Sequence, residues 1–390
     1  MVKSGLDRFL ETEHKRFRGQ RLGLLCNQAS VNSRLVHASE CLTDKKLKLD
    51  FKVFFGPQHG IRGEKQDNMI ESDDFVDPRT KVPIVSLYSK TREPRADQLK
   101  LIDTLVVDLQ DIGCRIYTFM YTLANCMRVA KTVGCRIVVL DRPNPIGGSL
   151  VDGNVLETHL ISFVGQYPMA TQHGLTLGEL AELFNNHFGI GCELEVIRLQ
   201  GWKRDQHADQ WGRDWVIPSP NIPTVDSARV FPGTVLFEGT NVSEGRGTTK
   251  PFEWVGAPFI DADRLAQAMN SKKLPGVFFR PIFFQPTYHK HKDMNCGGVQ
   301  IHILQPQKLR PVGIGNELLY TIRELFGEKL QWKQPPYEYE FEKLPIDLIA
   351  GTDRLRLAVD KQAGLKDFNA WAEDSLQAFS KVRRQVLSRR

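Results

Sequence analysis

Four loops carry most of the side chains that could move protons, grip anions or bond hydroxyls. The first is Gly56-Pro57-Gln58-His59-Gly60-Ile61-Arg62-Gly63-Glu64. Its glycines let backbone amides approach a ligand, and His59 and Arg62 supply donors. The second offers Asp108, Gln110, Asp111, Arg115 and Tyr117, and the third runs Asp141-Arg142-Pro143-Asn144-Pro145, where stiff prolines fix the polar groups. A carboxylate at a strand end is costly unless paired or solvated, so Asp108 and Asp141 suit an ion pair or a loop cap as well as a site. The fourth loop, Phe237 to Thr249, packs Glu238, Ser243, Glu244, Arg246 and several glycines and threonines between apolar flanks. Arg246 between glycines is suited to clamp a carboxylate or a sugar hydroxyl. His173 precedes a glycine, as His59 does. Tyr88, Tyr117, Tyr121, Trp202, Trp211, Trp215, Phe252 and Trp254 could stack on a sugar, although core packing explains any one of them better.

Acids, Arg, His and aromatics on glycine-bearing loops point to an active site rather than a flat binding surface. Two carboxyl groups flanking a glycosidic bond need about 5–10 Å between them. A metal-dependent hydrolase using Asp108, Asp111, Asp141 and His59 is a weaker alternative, because these loops hold few histidines and no HxH pair. His289 and His291 in YHKHKD read as a basic segment rather than metal ligands.

The elements that position these loops are legible in outline. Strands are expected at 21–28, 49–60, 83–89, 103–113, 135–148 and 193–199, with helices at 1–20, 97–102, 118–134 and 175–189 between them. Near-continuous Val/Ile/Leu strands separated by helices predict an α/β fold, a Rossmann-like and mostly parallel sheet with both faces covered. In such sheets the working loops follow the strand carboxyl ends. Thr176 with Glu179 three residues on has capping-box spacing. The chain is expected to divide into a Rossmann-like domain, 1–230, and a smaller α+β domain, 231–390, with a cleft between them. No GxGxxG opens a helix and no GxxxxGK[ST] occurs, so nucleotide cofactors have no support and none is expected.

Composition excludes several classes. The 390 residues are 41% apolar and 25% charged, which suits a globular chain rather than a disordered one. A net charge of +6 with no basic stripe gives no support to nucleic-acid binding. No apolar run is long enough for a membrane span, and the first residues lack a signal-peptide core, so a cytoplasmic location is expected. Seven scattered cysteines without CxxC read as reduced core thiols.

GPQHGIRG, VVDLQDIGCRIYT, VVLDRPNPIGG, SFVGQYPMATQHGLTLGELA, WVIPSPNIPT and FPGTVLFEGTNVSEGRGTTKPFEWVGAPFID together resemble one bacterial family. It was long catalogued as a domain of unknown function and is associated with exo-β-N-acetylmuramidases, which remove N-acetylmuramic acid from non-reducing ends of peptidoglycan fragments. The resemblance runs from about residue 4 to the C-terminus. It implies a Rossmann-like domain joined to a smaller one, with the active site in the cleft. Family members commonly read Pro-Glu-His-Gly in the first loop, and that Glu is a candidate catalytic acid. Gln58 stands at its position, and an amide moves no proton near neutral pH. The resemblance therefore leaves acid/base work to Glu64, Glu71 or Glu244, with Asp111 as polariser, or to the substrate's own N-acetyl oxygen oriented by Gln58. It assigns Arg62, Arg115, Arg142 and Arg246 to the lactyl carboxylate, His59 and His173 to hydroxyls, and Tyr117 and Trp254 to the ring face. Asp141, Asn144 and Ser243 complete the expected substrate contacts. The segment after the first loop, GEKQDNMIES, differs from the commoner family pattern. A sugar-binding protein without turnover is the alternative that Gln58 favours.

Overall fold

The computed structural model describes residues 1–66, 70–89 and 91–388. Residues 67–69 of the segment Gly63–Ser72 and the terminal Arg389-Arg390 lie outside the described residues. The strands are β1 (Arg21–Cys26), β2 (Asp50–Gly56), β3 (Phe75–Val76), β4 (Pro83–Ser86), β5 (Thr104–Asp108), β6 (Arg136–Leu140), β7 (Asp152–Val155), β8 (Ala170–Gln172), β9 (Leu194–Ile197), β10 (Trp254–Ala257), β11 (Val277–Phe284) and β12 (Cys296–Ile303). A seven-stranded sheet has the order β3-β4-β2-β1-β5-β6-β9. All its pairings are parallel except the short edge pair β3–β4. Its central strands are buried along their length because helices cover both faces: every residue of Thr104–Asp108 is buried. The fold is thus α/β, with a separate antiparallel sheet β10-β12-β11 in the C-terminal half.

The loops that follow the parallel strands bury charged groups at the carboxyl edge, and the chain pairs them. Arg142 holds Asp108 through Nε at 2.6 Å and Nη2 at 2.8 Å, both residues being buried. Asp141 caps the helix Leu177–Glu182, accepting from the Gly178 amide at 2.8 Å and from Thr176 Oγ1 at 3.1 Å. The Thr176–Glu179 capping box is present in the same turn. Asn144 accepts from the Ile146 amide at 3.1 Å and donates to the Leu175 carbonyl at 3.0 Å. Asp141, Arg142 and Asn144, expected among the substrate contacts, are engaged here in closing the sheet end, and Asp108 forms the ion pair that its position suited. Their polarity answers the need to satisfy buried backbone and charge.

The second half is anchored back onto the first. The helix Lys366–Leu387 packs on β7, where Ser375 Oγ accepts from the Val155 amide at 3.1 Å, and Arg383 donates to the Gly174 carbonyl at 3.1 Å. The helices Val225–Thr234 and Pro311–Phe326 cross at Gly233 and Gly315. A Cβ on Gly315 would run into the Gly233 carbonyl, and one on Gly233 into that of Pro311. Gly315→Ala is therefore expected to destabilise the protein by about 1–3 kcal/mol, read as a lowered denaturant midpoint. An unchanged midpoint would mean the crossing has slack.

All seven cysteines are free thiols, and all but Cys41 are buried. Burial pushes Cys114 up to about 12, which makes it chemically inert. Among the described residues no helix is long and apolar enough to cross a membrane.

Candidate active site

A cleft at the carboxyl end of the sheet is lined by Gln58 and His59 after β2, Tyr117 and Thr118 after β5, and Val164, Ser219 and Asn221. Its far wall comes from the C-terminal half: Glu238, Arg246, Phe252, Tyr337 and Glu338. His59 and Arg246, expected in sequence to converge, line the same cleft.

Two carboxyl groups sit in it. Glu338 Oε2 accepts from the Tyr88 hydroxyl at 2.7 Å, and Oε1 accepts from Gln58 Nε2 at 3.2 Å. Gln58 Oε1 in turn accepts from the Thr118 hydroxyl at 2.6 Å. Burial pushes the Glu338 carboxyl above its ordinary 4.5, outweighing the Tyr88 and Gln58 hydrogen bonds, and the neighbouring Glu238 charge adds to the rise. Glu238 faces a different set: Arg246 Nη2 donates to Oε1 at 2.7 Å and the Tyr337 hydroxyl to Oε2 at 2.7 Å. Two carboxyls with such different surroundings are suited to different tasks, one to proton donation and the other to charge stabilisation.

The remaining geometry holds Arg246. Glu244 lies behind it, Oε1 at 3.3 Å from Arg246 Nε and Oε2 accepting from Lys290 Nζ at 2.8 Å. Lys290 also donates to the carbonyls of Phe237 at 2.7 Å and Val242 at 3.0 Å, so its three protons have three acceptors. Burial pushes Glu244 up, but Lys290, His289 and Arg246 outweigh it and hold it at about 2. A carboxylate so firmly ionised does not donate a proton near neutral pH. The general-acid role expected for Glu244 therefore does not fit its surroundings.

Several residues of the cleft adopt left-handed backbone. His59, Phe252 and Glu338 all line the cleft with positive φ, at 71°, 65° and 45°, and Tyr339 follows at 66°. Each such residue stores roughly 1–3 kcal/mol and persists only where its surroundings hold it. Arg92 lies 3.7 Å from the Tyr339 ring centroid and 4.6 Å from that of Tyr88, bracing the Glu338 segment from outside. The free space is about 40 Å³, little more than the roughly 30 Å³ of one liquid water.

Other expected residues have other surroundings. Glu64 is exposed and lies against Gly60, and Glu71 is exposed. Arg62 pairs with Asp77 at 2.7 Å and lines a separate cavity of about 380 Å³ with Gln28 and His37. Asp111 accepts from the Gly113 amide at 2.6 Å and faces His173 Nε2 at 3.5 Å, both outside the lining of the cleft. His173 is fully buried, its Nδ1 accepting from the Leu175 amide at 3.1 Å. Arg115 is fully buried and donates to the Ile349 carbonyl at 2.9 Å. Ser243 accepts from the Gly245 amide at 3.1 Å, and Trp254 packs on Phe284 at 5.7 Å between centroids. Tyr117 does line the cleft, with Phe119 and Phe231 edge-on around it. Sequence reasoning passed over Glu338 and Tyr337. The signal was PPYEYE, two prolines stiffening an aromatic-acidic stretch between helices.

Comparison with known proteins decides the family. The exo-beta-N-acetylmuramidase NamZ family descriptions match in two parts, the N-terminal one over residues 22–226 and the C-terminal one over 229–388. The chain belongs to the exo-β-N-acetylmuramidase family. It is a glycosidase by that membership. A curated family relative, peptidoglycan beta-N-acetylmuramidase NamZ of Bacillus subtilis strain 168, is 41% identical over 387 residues, covering 99% of this chain and 91% of the relative. Two crystal structures of DUF1343 family proteins from Bacteroides fragilis NCTC 9343 share the fold. One has a TM-score of 0.88 at 32% identity and the other 0.75 at 26%, each covering 99% of this chain and 98% of the other.

Proposed function

We propose that the protein is an exo-acting glycosidase that releases N-acetylmuramic acid, or a related N-acetylated amino sugar, from non-reducing ends of peptidoglycan fragments. The observation that carries the mechanism is Glu338, a buried carboxyl with a raised pKa in the same cleft as Glu238. Glu338 protonates the leaving oxygen. The carboxylate it becomes is received by two donors already in place, Tyr88 and Gln58. Glu238, held by Arg246 and Tyr337, stabilises the oxocarbenium-like charge; a water then adds to the anomeric carbon in place of the departed oxygen, and its proton restores the Glu338 acid. His59 and Arg246 grip the sugar's polar groups, and Tyr117 meets the ring.

In this arrangement Gln58 is a donor to the acid rather than the acid itself. A carboxylate at position 58 would face Glu338 across the same 3.2 Å gap, and the two would share a proton. Gln58 thus fits catalysis by another acid.

Release of nitrophenol from a β-MurNAc nitrophenyl glycoside, with the β-GlcNAc analogue as comparison, tests the reading. Turnover of the MurNAc compound is the expected result. Binding of muropeptide fragments without turnover of either compound would instead establish a sugar-binding protein. The active form carries a proton on Glu338, whose folded pKa is raised. Activity is therefore expected to be full below that pKa and to fall as pH rises through it, giving kcat/KM an alkaline limb that begins above the ordinary 4.5 of a Glu side chain. An acidic limb alone, with no alkaline fall attributable to Glu338, would contradict the assignment.

A further inference from the structure

The carboxyl assigned to proton donation stands on a tight turn rather than on a helix or strand. Tyr337 and Glu340 exchange backbone hydrogen bonds, each of 2.9 Å, and the two residues between them are Glu338 and Tyr339. Both have left-handed backbone, with φ of 45° and 66°. A two-residue turn of that kind ordinarily falls to Asn and Gly, which adopt it with little strain. Here two larger side chains occupy it, so contacts from outside the turn must hold it in place.

Those contacts come from one patch of the first half. The Tyr88 hydroxyl donates to Glu338 Oε2 at 2.7 Å, and the Tyr88 ring meets the Tyr339 ring edge-on at 6.1 Å between centroids. The Arg92 guanidinium lies against both rings, 3.7 Å from the Tyr339 centroid and 4.6 Å from that of Tyr88. Arg92 is itself tied down. Its Nη1 donates to the Ser89 carbonyl, and its own carbonyl accepts from Asn125 Nδ2 at 2.7 Å. Its Nε and Nη2 are buried without a hydrogen-bond partner among the described residues. The two rings are what the cation is matched to, and a partly desolvated guanidinium is held on an aromatic face more strongly than one in water.

We infer that Arg92 is a positioning residue for the reaction: it clamps the Glu338 turn onto Tyr88 and so keeps the carboxyl aimed into the cleft. The inference rests on the reading of Glu338 as the proton donor and names what holds that donor in place. Arg92 acts through the tyrosines, whereas the charges that act most on Glu338 itself are those of Glu238 and Arg246. Released from Arg92, Tyr339 is free to turn away from Tyr88. Glu338 then leaves with it, because the two are neighbours in one turn.

Two substrates test this. Arg92→Met keeps most of the side chain's length and removes its charge. On the disaccharide MurNAc-β-1,4-GlcNAc it is expected to lower kcat about tenfold, the worth of one desolvated cation–π contact, with KM changed less than about twofold. On a dinitrophenyl MurNAc glycoside, whose leaving group departs without a proton, it changes little. The alkaline limb of kcat/KM moves to lower pH, since a loosened turn admits water and burial is the chief cause of the raised Glu338 pKa. Arg92→Lys keeps a cation on the rings and recovers part of both effects. Should Arg92→Met fold poorly, Tyr339→Leu removes one of the two ring faces at a partly exposed position and is expected to give the same selective loss. Equal losses on both substrates, or none, with the limb unmoved, overturn the inference and leave Glu338 as the donor. Wild type that cleaves neither compound, or Glu338→Gln as fast as wild type on the disaccharide, brings down the underlying reading as well.

Discussion

Glu338→Gln is expected to lower kcat on the disaccharide by roughly 10²–10⁴, the usual contribution of a positioned general acid, with the fold intact. The amide keeps the shape of the carboxyl and its oxygen accepts from Tyr88; its NH2 then faces Gln58, whose amide turns over to accept it while the Thr118 hydroxyl accepts from the Gln58 nitrogen, so the cleft keeps its form. What it loses is the proton. The diagnostic comparison is a MurNAc glycoside with a dinitrophenyl leaving group, which departs without protonation. If Glu338 donates the proton, this substrate suffers far less than the disaccharide, and the alkaline limb of the pH profile disappears. Equal losses on both substrates would show that Glu338 holds the site together without donating. KM should change little, because the sugar contacts assigned to His59 and Arg246 remain.

The largest stability effect is expected from Lys290→Met. Lys290 is the ammonium that Glu244 and two backbone carbonyls share inside the second half. Among the described residues, removing it leaves Glu244 buried with Arg246 at 3.3 Å and His289 at 3.4 Å, and takes the side-chain donor from the Val242 carbonyl, whereas the Phe237 carbonyl keeps the Thr240 amide at 3.0 Å and hydroxyl at 2.9 Å. Breaking a buried pair from one side costs about 3–5 kcal/mol, because the remaining charge has lost its compensation. Denaturant unfolding followed by fluorescence reads this directly. Glu244→Gln combined with Lys290→Met should cost less than the sum of the two single changes, since the stranded charge is gone. A Lys290→Met protein as stable as wild type would mean that Arg246 and His289 suffice.

The same pair sets an acid limit. Glu244 has a folded pKa near 2 against an ordinary 4.5, so its contribution is fully present above 4.5 and is lost as pH falls towards 2. Activity should fail there as well, because Arg246 depends on Glu244 for its place beside Glu238.

Residue pattern alone determined the sheet and its working edge. Runs such as Leu105–Val107 are apolar without alternation, and only a strand covered on both faces tolerates that. The glycine-bearing loops after them placed Gln58, His59 and Tyr117 at a site, because strand ends in a parallel sheet open onto one edge. Which polar residues at that edge face a ligand was not written there. Asp108, Arg142 and Asp141 have the composition of a site, yet they satisfy one another and the backbone, since buried charge must be compensated wherever it falls. Tertiary structure alone decided the carboxyls. Glu238 and Glu244 stand six positions apart, and the return of Lys290 from beyond β11, together with His289 and Arg246, ionises the second and leaves the first to the cleft. Glu338 meets Gln58 across 280 residues. Nothing local links PPYEYE to the first loop. Their meeting depends on how the second half folds back over the sheet edge, and the burial that raises the Glu338 carboxyl's pKa exists only once that has happened.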